Sequence, residues 1–220
     1  MAKIPPTPFI LVDGSSYLFR AYYALPPLIT SQGQPTGAIF GVINMLRKLL
    51  LQYKPEAMAV VFDSKEKNFR HTLYPNYKAN RIIMPEELQR QIEPLHLIIK
   101  AMGLPLIMIE GTEADDVIGT IALKAEKSGQ FVLISTGDKD FAQLVNENIF
   151  LINTMSNDIF DREKIIEKFE VGPEQIIDYL TLIGDTVDNV PGVPKVGPKT
   201  AVKWLKSYAN LEEIIKHADK

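Results

Sequence analysis

Five short apolar runs, most of them closing on an acid or leading to one, limit what this chain can fold into. They are residues 9–12 closing on Asp13, 57–62 closing on Asp63, 104–109 closing on Glu110-Gly111, 131–134 leading to Asp138, and 149–152. Unbroken apolarity over so few residues marks a strand buried on both faces. Between the runs, apolar residues recur with helical period. Ile39, Val42, Ile43, Leu46, Leu49 and Leu50 do so within 37–53, and Leu88, Ile92, Leu95, Ile98 and Ile99 within 86–102. Strands alternating with helices require β-α-β crossovers, so the fold is α/β, with a mostly parallel central sheet flanked by helices and all five strands pointing one way. Further helices are expected over 17–24, 113 to about 127, 162–169, 173–182, 198–207 and 211–216, with 14–16 a turn and 64–84 irregular. The pattern changes near residue 160 from α/β to all-α, which divides the chain into a core over 1–160 and a helical region over 161–220.

A common strand direction gathers the acids. In an open parallel sheet, ligands sit outside the carboxyl ends of the strands. Asp13 and Asp63 end two strands, Glu113, Asp115 and Asp116 follow a third, and Asp138 and Asp140 follow a fourth. Asp185 and Asp188, three apart in the helical region, could fold over the same edge. Taken singly, each acid has an ordinary explanation. Thr112 can cap the helix starting at 113, with Asp115 closing a capping box, and Asp13-Gly14 and Gly137-Asp138 are turn chemistry. Taken together, they would repel one another and drive each other's pKa upward unless cations were bound. Oxygen donors alone suit Mg2+ or Mn2+. More acids than one six-coordinate ion can use imply two ions or more, an arrangement that clamps the attacking and leaving oxygens of a phosphoryl displacement.

Composition bears on the same question. The 220-residue chain has no cysteine, which excludes disulfides, thiolate sites and cysteine nucleophiles and fits a reducing, cytoplasmic setting. Its three histidines, His71, His96 and His217, lack ligand spacing and read as surface residues. Mean hydropathy is +0.00, no run approaches the roughly 20 apolar residues of a membrane span, and residues 1–6 carry no signal-peptide pattern. A net charge of −3 argues at first against nucleic acid. Setting the nine acids aside, however, 27 acids less nine leaves 18 against 24 bases, a body of +6 around an acidic pocket.

Two stretches supply the expected phosphate contacts. Segment 64–84 interleaves Lys65, Lys67, Arg70, Lys78 and Arg81 with Phe69, Tyr74 and Tyr77. Its place after a strand end puts it over the acidic edge. Lys78 and Arg81 would share a helix face and grip a phosphate, and Tyr77 could stack on a base. The turn at 192–201, with Gly192, Lys195, Gly197, Lys199 and Thr200, offers backbone amides at a helix start, which bind phosphate without reading sequence. A monovalent cation such as K+ could be held by its carbonyls.

The motifs Val12-Asp13-Gly14-Ser15, Val61-Phe62-Asp63, Glu113-Ala114-Asp115-Asp116, Thr136-Gly137-Asp138-Lys139-Asp140 and the stretch from Gly184-Asp185 through Gly197-Pro198-Lys199-Thr200-Ala201 occur in one order along the chain. Together they resemble the 5′-nuclease domain of bacterial DNA polymerase I, in the flap endonuclease superfamily. The resemblance implies a helix–three-turn–helix over 173–207 holding the duplex backbone, and an arch or clamp drawn from 64–84 that passes a 5′ single strand. It implies first-metal ligands at Asp13, Asp63, Glu113 and Asp115, with Asp116, Asp138, Asp140, Asp185 and Asp188 serving a second metal. Asp115 would sit centrally between the ions, and Arg20, Arg70, Lys78 and Arg81 would contact phosphate. The activity implied is structure-specific 5′ hydrolysis of flaps, nicked duplexes and RNA primers in replication and repair, by a monomer. The family's nuclease region continues beyond the point where this chain stops, so a fragment of a protein carrying a polymerase module is expected. Two other readings are a PIN-like ribonuclease, which shares acids at strand ends, and a non-catalytic DNA-binding module.

Overall fold

Strand β1 (Phe9–Asp13) lies inside a six-stranded sheet of order β3-β2-β1-β4-β5-β6. The computed structural model describes residues 4–218; the sequence reading of residues 1–3 and of the chain end lies outside them. Around β1 stand β2 (Ala57–Val61), β3 (Leu106–Ile107), β4 (Val132–Ser135) and β5 (Ile149–Asn153), all parallel as expected. A sixth strand, β6 (Asp158–Phe160), runs antiparallel to β5. It was not anticipated, because only three residues follow the tight turn in which Asn157 takes a φ of +60°.

Alternation along the strands builds two cores. Ile10, Val12, Met58, Val60 and Leu133 face helices α1 (Gly14–Ala24), α2 (Gly37–Tyr53) and, beyond the short α3 (Phe69–Leu73), α4 (Glu86–Ala101). Leu11, Ala59, Val61, Ile134 and Leu151 face α5 (Ala114–Lys127), α6 (Arg162–Phe169), α7 (Ile176–Ile183) and, beyond strands β7 (Gly184–Asp185) and β8 (Val190–Pro191), α8 (Pro198–Tyr208). A final helix, α9 (Leu211–Lys216), closes the chain against α8, its first amide donating to Asp178 at 3.0 Å. The two-sided burial explains why the strands read as continuous apolar runs.

Several local expectations need correction. Residues 14–16 are helical, not a turn, because Asp13 Oδ1 accepts from the Ser16 amide at 2.8 Å and starts α1 directly. Strand β3 is shorter than its apolar run. It pairs only with β2 at the sheet edge, and Met108 and Ile109 past its end are exposed. Within 64–84, Asn68 caps the five-residue α3 by accepting from the Arg70 amide. His96 is not a surface residue: its ring tilts against Phe62 with centroids 4.5 Å apart. Gln91 is buried, at 2% exposure, and its Oε1 accepts from the amides of Ala38 and Ile39 at 2.8 and 3.2 Å, capping α2 from a neighbouring helix.

The α7–α8 hairpin depends on two glycines. Gly184, at φ +75°, and Gly192 approach so closely that a Cβ on either would overlap the other's backbone. The Val193 amide then donates to Leu182 O at 2.9 Å and locks the turn. Among the described residues, no helix is long and apolar enough to cross a membrane.

Candidate active site

The strand order reverses direction at β1, between β2 and β4, and the carboxyl edge there is the crevice where ligands of such sheets bind. Asp13 ends β1 at 4% exposure and uses both oxygens: one caps α1, the other accepts from Thr136 Oγ1 at 2.8 Å. Burial, with the charges of Asp63 and Asp138, raises its pKa to about 6 against the opposing pull of those hydrogen bonds. Thr136 also accepts from the Asp138 amide at 3.0 Å, and Asp138 accepts from the Asp140 amide at 2.9 Å. This relay of short side chains fixes the loop after β4.

Asp63, beyond β2, accepts from the Ala114 amide at 2.9 Å. It therefore supplies the side-chain cap of α5 that Thr112 was expected to give. The N-cap position belongs to Glu113, which makes no capping bond of its own. A carboxylate placed by the neighbouring strand reaches the orphan amide without any local cap.

Asp115 is driven to a pKa of about 8 by burial and by the charges of Asp13, Asp138 and Asp63. Asp140 rises to about 6 through burial and Asp138, and its Oδ1 is buried without a partner. The other acids are matched by cations. Arg70 grips Asp116 with two bonds of 2.6 and 2.8 Å, and this pairing holds the Asp116 carboxyl low. Lys78 Nζ lies 2.7 Å from Glu113 and 3.6 Å from Asp188, and Arg81 lies 2.8 Å from Asp188. Lys139 meets Asp185 at 2.9 Å. Burial works against the charge of Asp185, but Lys139 and the amides of Asp188 and Val187 outweigh it and lower the pKa. Among the described residues, no group of three or more His, Asp or Glu is drawn together closely enough to hold a metal ion.

The basic segment thus touches the acidic edge, but not in the expected manner. Lys78 sits at φ +56°, so it shares no helix face with Arg81. Tyr77 is 8% exposed, and its hydroxyl donates to Glu113 at 3.0 Å and Asp188 at 3.2 Å, leaving no free ring face for a base. Burial and these two carboxylates raise its pKa. Arg20 donates to Asn153 Oδ1 at 3.2 Å while its guanidinium lies against Gly137. In the helical hairpin, Gly192 is engaged in backbone packing, whereas Gly197 has open space around it, Lys195 and Lys199 are exposed, and Thr200 is half-buried. Among the described residues neither lysine forms an ion pair.

Sequence reasoning overlooked Lys139, Asn68 and Thr136 as parts of the site. Asn68 is 7% exposed and donates to Glu113 Oε1 at 2.6 Å. Its only signal was a cap residue before Phe69-Arg70. A cavity of about 350 Å3 opens between Arg70, Tyr77, Glu113, Asp115, Asp140 and Asp188. A larger but shallow depression of about 490 Å3 on the outer face of α2 contains no acid, so the chemistry belongs to the smaller one.

The acidic sheet edge is thus met by a basic segment and flanked by a glycine-turned helical hairpin. The chain matches the family described as 5′-3′ exonuclease, N-terminal resolvase-like domain, over residues 8–170, and the 5′-3′ exonuclease C-terminal SAM fold over 171–220. It belongs to the 5′-3′ exonuclease family. It is 55% identical to DNA polymerase I of Pseudomonas aeruginosa across 94% of this chain, spanning 24% of that protein. It is 48% identical to the 5′-3′ exonuclease of Buchnera aphidicola subsp. Baizongia pistaciae across 96% of this chain and 70% of that one. In fold it is similar to the bacteriophage T5 flap endonuclease solved with DNA and metal ions, with a TM-score of 0.78 and 22% identity over 94% of this chain and 78% of that one.

Proposed function

We propose that this chain hydrolyses phosphodiester bonds next to 5′ ends in structured DNA, namely 5′ flaps, nicked duplexes and RNA-primer junctions, in replication and repair in the cytoplasm. The observation that carries this reading is the meeting of acids and bases from several separate segments: Arg70 lines the cavity with Glu113, Asp115, Asp116, Asp140 and Asp188, Lys78 and Arg81 pair with Glu113 and Asp188 of that lining, and Lys139 pairs with Asp185. The donors fit hard divalent cations. They are all oxygen, Asp140 has a buried orphan oxygen, and burial with neighbouring acids opposes ionisation of Asp115. Asp13, Asp63, Glu113 and Asp115 would hold one Mg2+ or Mn2+, and Asp116, Asp138, Asp140, Asp185 and Asp188 a second, with Asp115 between them. Bound there, such ions neutralise charge and polarise the scissile phosphate.

The chain's own contribution is positioning. Glu113, Asp116 and Asp188 would hold metal, and Lys78, Arg70 and Arg81, which pair with them here, would then be available to phosphate oxygens. Arg20 would take a neighbouring phosphate. Gly197, Lys195, Lys199 and Thr200, with Gly192 shaping the turn and K+ at its carbonyls, would hold the duplex backbone. With this assignment goes a division into a core over 1–160 and a duplex-binding region over 161–220, and, if the chain is a fragment, a polymerase module in the same polypeptide, which the likeness to a DNA polymerase I supports. The α7–α8 hairpin favours this reading over a minimal PIN-like ribonuclease. A non-catalytic binder would gain nothing from an acid held at a pKa of about 8.

The test is cleavage of a labelled 5′-flap duplex with and without Mg2+. The parent should cleave only with the ion, and Asp115→Asn should lose cleavage while keeping duplex affinity. Undiminished cleavage by that variant overturns the proposal.

A further inference from the structure

The basic segment is fastened to the β7–β8 hairpin by bonds that involve no charge. Residues 74–81 fold as successive turns, with Tyr77 N donating to Tyr74 O at 2.9 Å, Ala79 N to Asn76 O at 3.1 Å and Arg81 N to Lys78 O at 3.1 Å. The hairpin opposite pairs Asp185 with Val190 and turns through Asn189 at φ +58°. Three bonds join them: Lys78 N to Asp188 O at 2.9 Å, Asn80 Nδ2 to Thr186 O at 2.8 Å, and Asn189 Nδ2 to Asn76 O at 2.7 Å.

These bonds differ in kind from the charged contacts beside them. Lys78, Arg81 and Tyr77 hold Asp188 through its carboxylate, and those contacts would be surrendered if the carboxylate took another partner. The amide–carbonyl bonds compete with nothing at the acidic edge. They are also near enough to matter, because Asn80 is one residue from Arg81 and Asn189 one residue from Asp188.

We propose that Asn80 and Asn189 are positioning residues, a two-amide clip that keeps the basic segment seated on the hairpin after Glu113 and Asp188 let go of Lys78, Tyr77 and Arg81. The clip keeps both cations beside Glu113 and Asp188, which line the cavity, instead of letting them swing into solvent. Since the hairpin runs directly into the 192–200 turn, it also links the segment over the 5′ side to the element that grips the duplex. The role in turnover rests on the nuclease reading above; the clip itself does not.

The test uses Asn80→Ala, Asn189→Gly and the double variant. Glycine accepts the φ of Asn189, so that change removes the amide and keeps the turn. The first readout is trypsin cleavage after Lys78 and Arg81 without DNA or metal. Exposed amide–carbonyl bonds are individually weak, so each single change should speed cleavage about threefold and the pair about tenfold. Circular dichroism should leave the rest of the fold unchanged. The second readout is 5′-flap cleavage with Mg2+: the double variant should lose about tenfold in kcat with little change in KM. Parental trypsin resistance in the double variant overturns the clip. A faster-digested variant with parental kcat overturns its positioning role. Should the parent fail to cleave flaps while the double variant is digested faster, the nuclease reading fails and the clip stands.

Discussion

Asp63 Oδ1 lies 2.9 Å from the amide of Ala114, so an acid ending one strand caps the helix that follows the next strand. The bond fixes α5 against β2 and with it the direction of Glu113, Asp115 and Asp116. Asp63 therefore has a structural task independent of any ion.

That task separates two substitutions. Asp63→Ala should lower the stability of the ion-free chain by about 1 kcal/mol, the usual worth of a helix cap. Asp63→Asn keeps an acceptor oxygen and should cost less than half as much. Both should lose cleavage. Urea denaturation in the presence of a chelator, read beside flap cleavage, checks the split.

The crowded acids predict an unusual pH dependence. Asp115 titrates at about 8, and Asp13 and Asp140 at about 6, in the folded chain, all above the 3.8 of a free aspartate. A raised folded pKa means the folded state holds the proton more tightly, so this stability is complete below 3.8 and lost as pH rises through 6 and then 8. Asp116 and Asp185, both lowered, are already ionised across that range and contribute no slope there. His96, also lowered, acts oppositely only as pH falls below 6.5. The ion-free protein should therefore lose the contribution of these three aspartates from about pH 4 upward, all three up to about pH 6 and Asp115 alone from there to about pH 8. Asp115→Asn should flatten the decline and be the more stable protein at the alkaline end, though inactive. Melting temperatures across pH in a chelator decide it.

Gly192 and Gly197 should respond differently to the same methyl group. Gly192→Ala drives Cβ into the backbone of residues 183 and 184 and should cost about 1–3 kcal/mol, as overpacking does. Gly197→Ala meets no neighbour at an ordinary φ of −108°, so the fold should be unaffected. A loss of duplex affinity in Gly197→Ala at unchanged melting temperature would then report close approach of a phosphate. Affinity by fluorescence anisotropy at fixed salt supplies the comparison.

Gln91→Leu should remove the buried acceptor of the Ala38 and Ile39 amides. Two orphaned donors at the start of α2 should cost about 2 kcal/mol, with cleavage per folded molecule unchanged, since Gln91 neither lines the cavity nor bonds to any of the nine acids. Chemical denaturation alongside specific activity tests both halves.

The sheet was legible because its strands are buried on both faces, which leaves little room for polar residues in β1, β2, β4 and β5. Burial on one side and tertiary capping were not. Gln91 reads as a polar interruption in a helix, and only the packing of α4 beside α2 makes it a cap. Thr112 satisfies the local pattern for a helix start, yet Asp63, fifty residues away in sequence by way of β2, reaches the amide first. The acids were recognisable because strand direction alone gathers them. Their partners were harder to foresee: Lys78, Arg81 and Tyr77 read as ligand contacts, and their bonds to Glu113 and Asp188 depend on how 64–84 folds back. Lys139 lay inside a recognised motif, but nothing in spacing joined it to Asp185.

The pairing of Arg70, Lys78, Arg81 and Lys139 with the acids has a consequence for how the protein comes into being. In small zinc domains the metal is the core, and the chain waits for it before folding. Here the chain carries its own countercharges to an edge that would otherwise push itself apart. Under the proposed ligand assignment, a newly made molecule would finish folding before any metal arrived, and loading would be an exchange of partners on a finished surface.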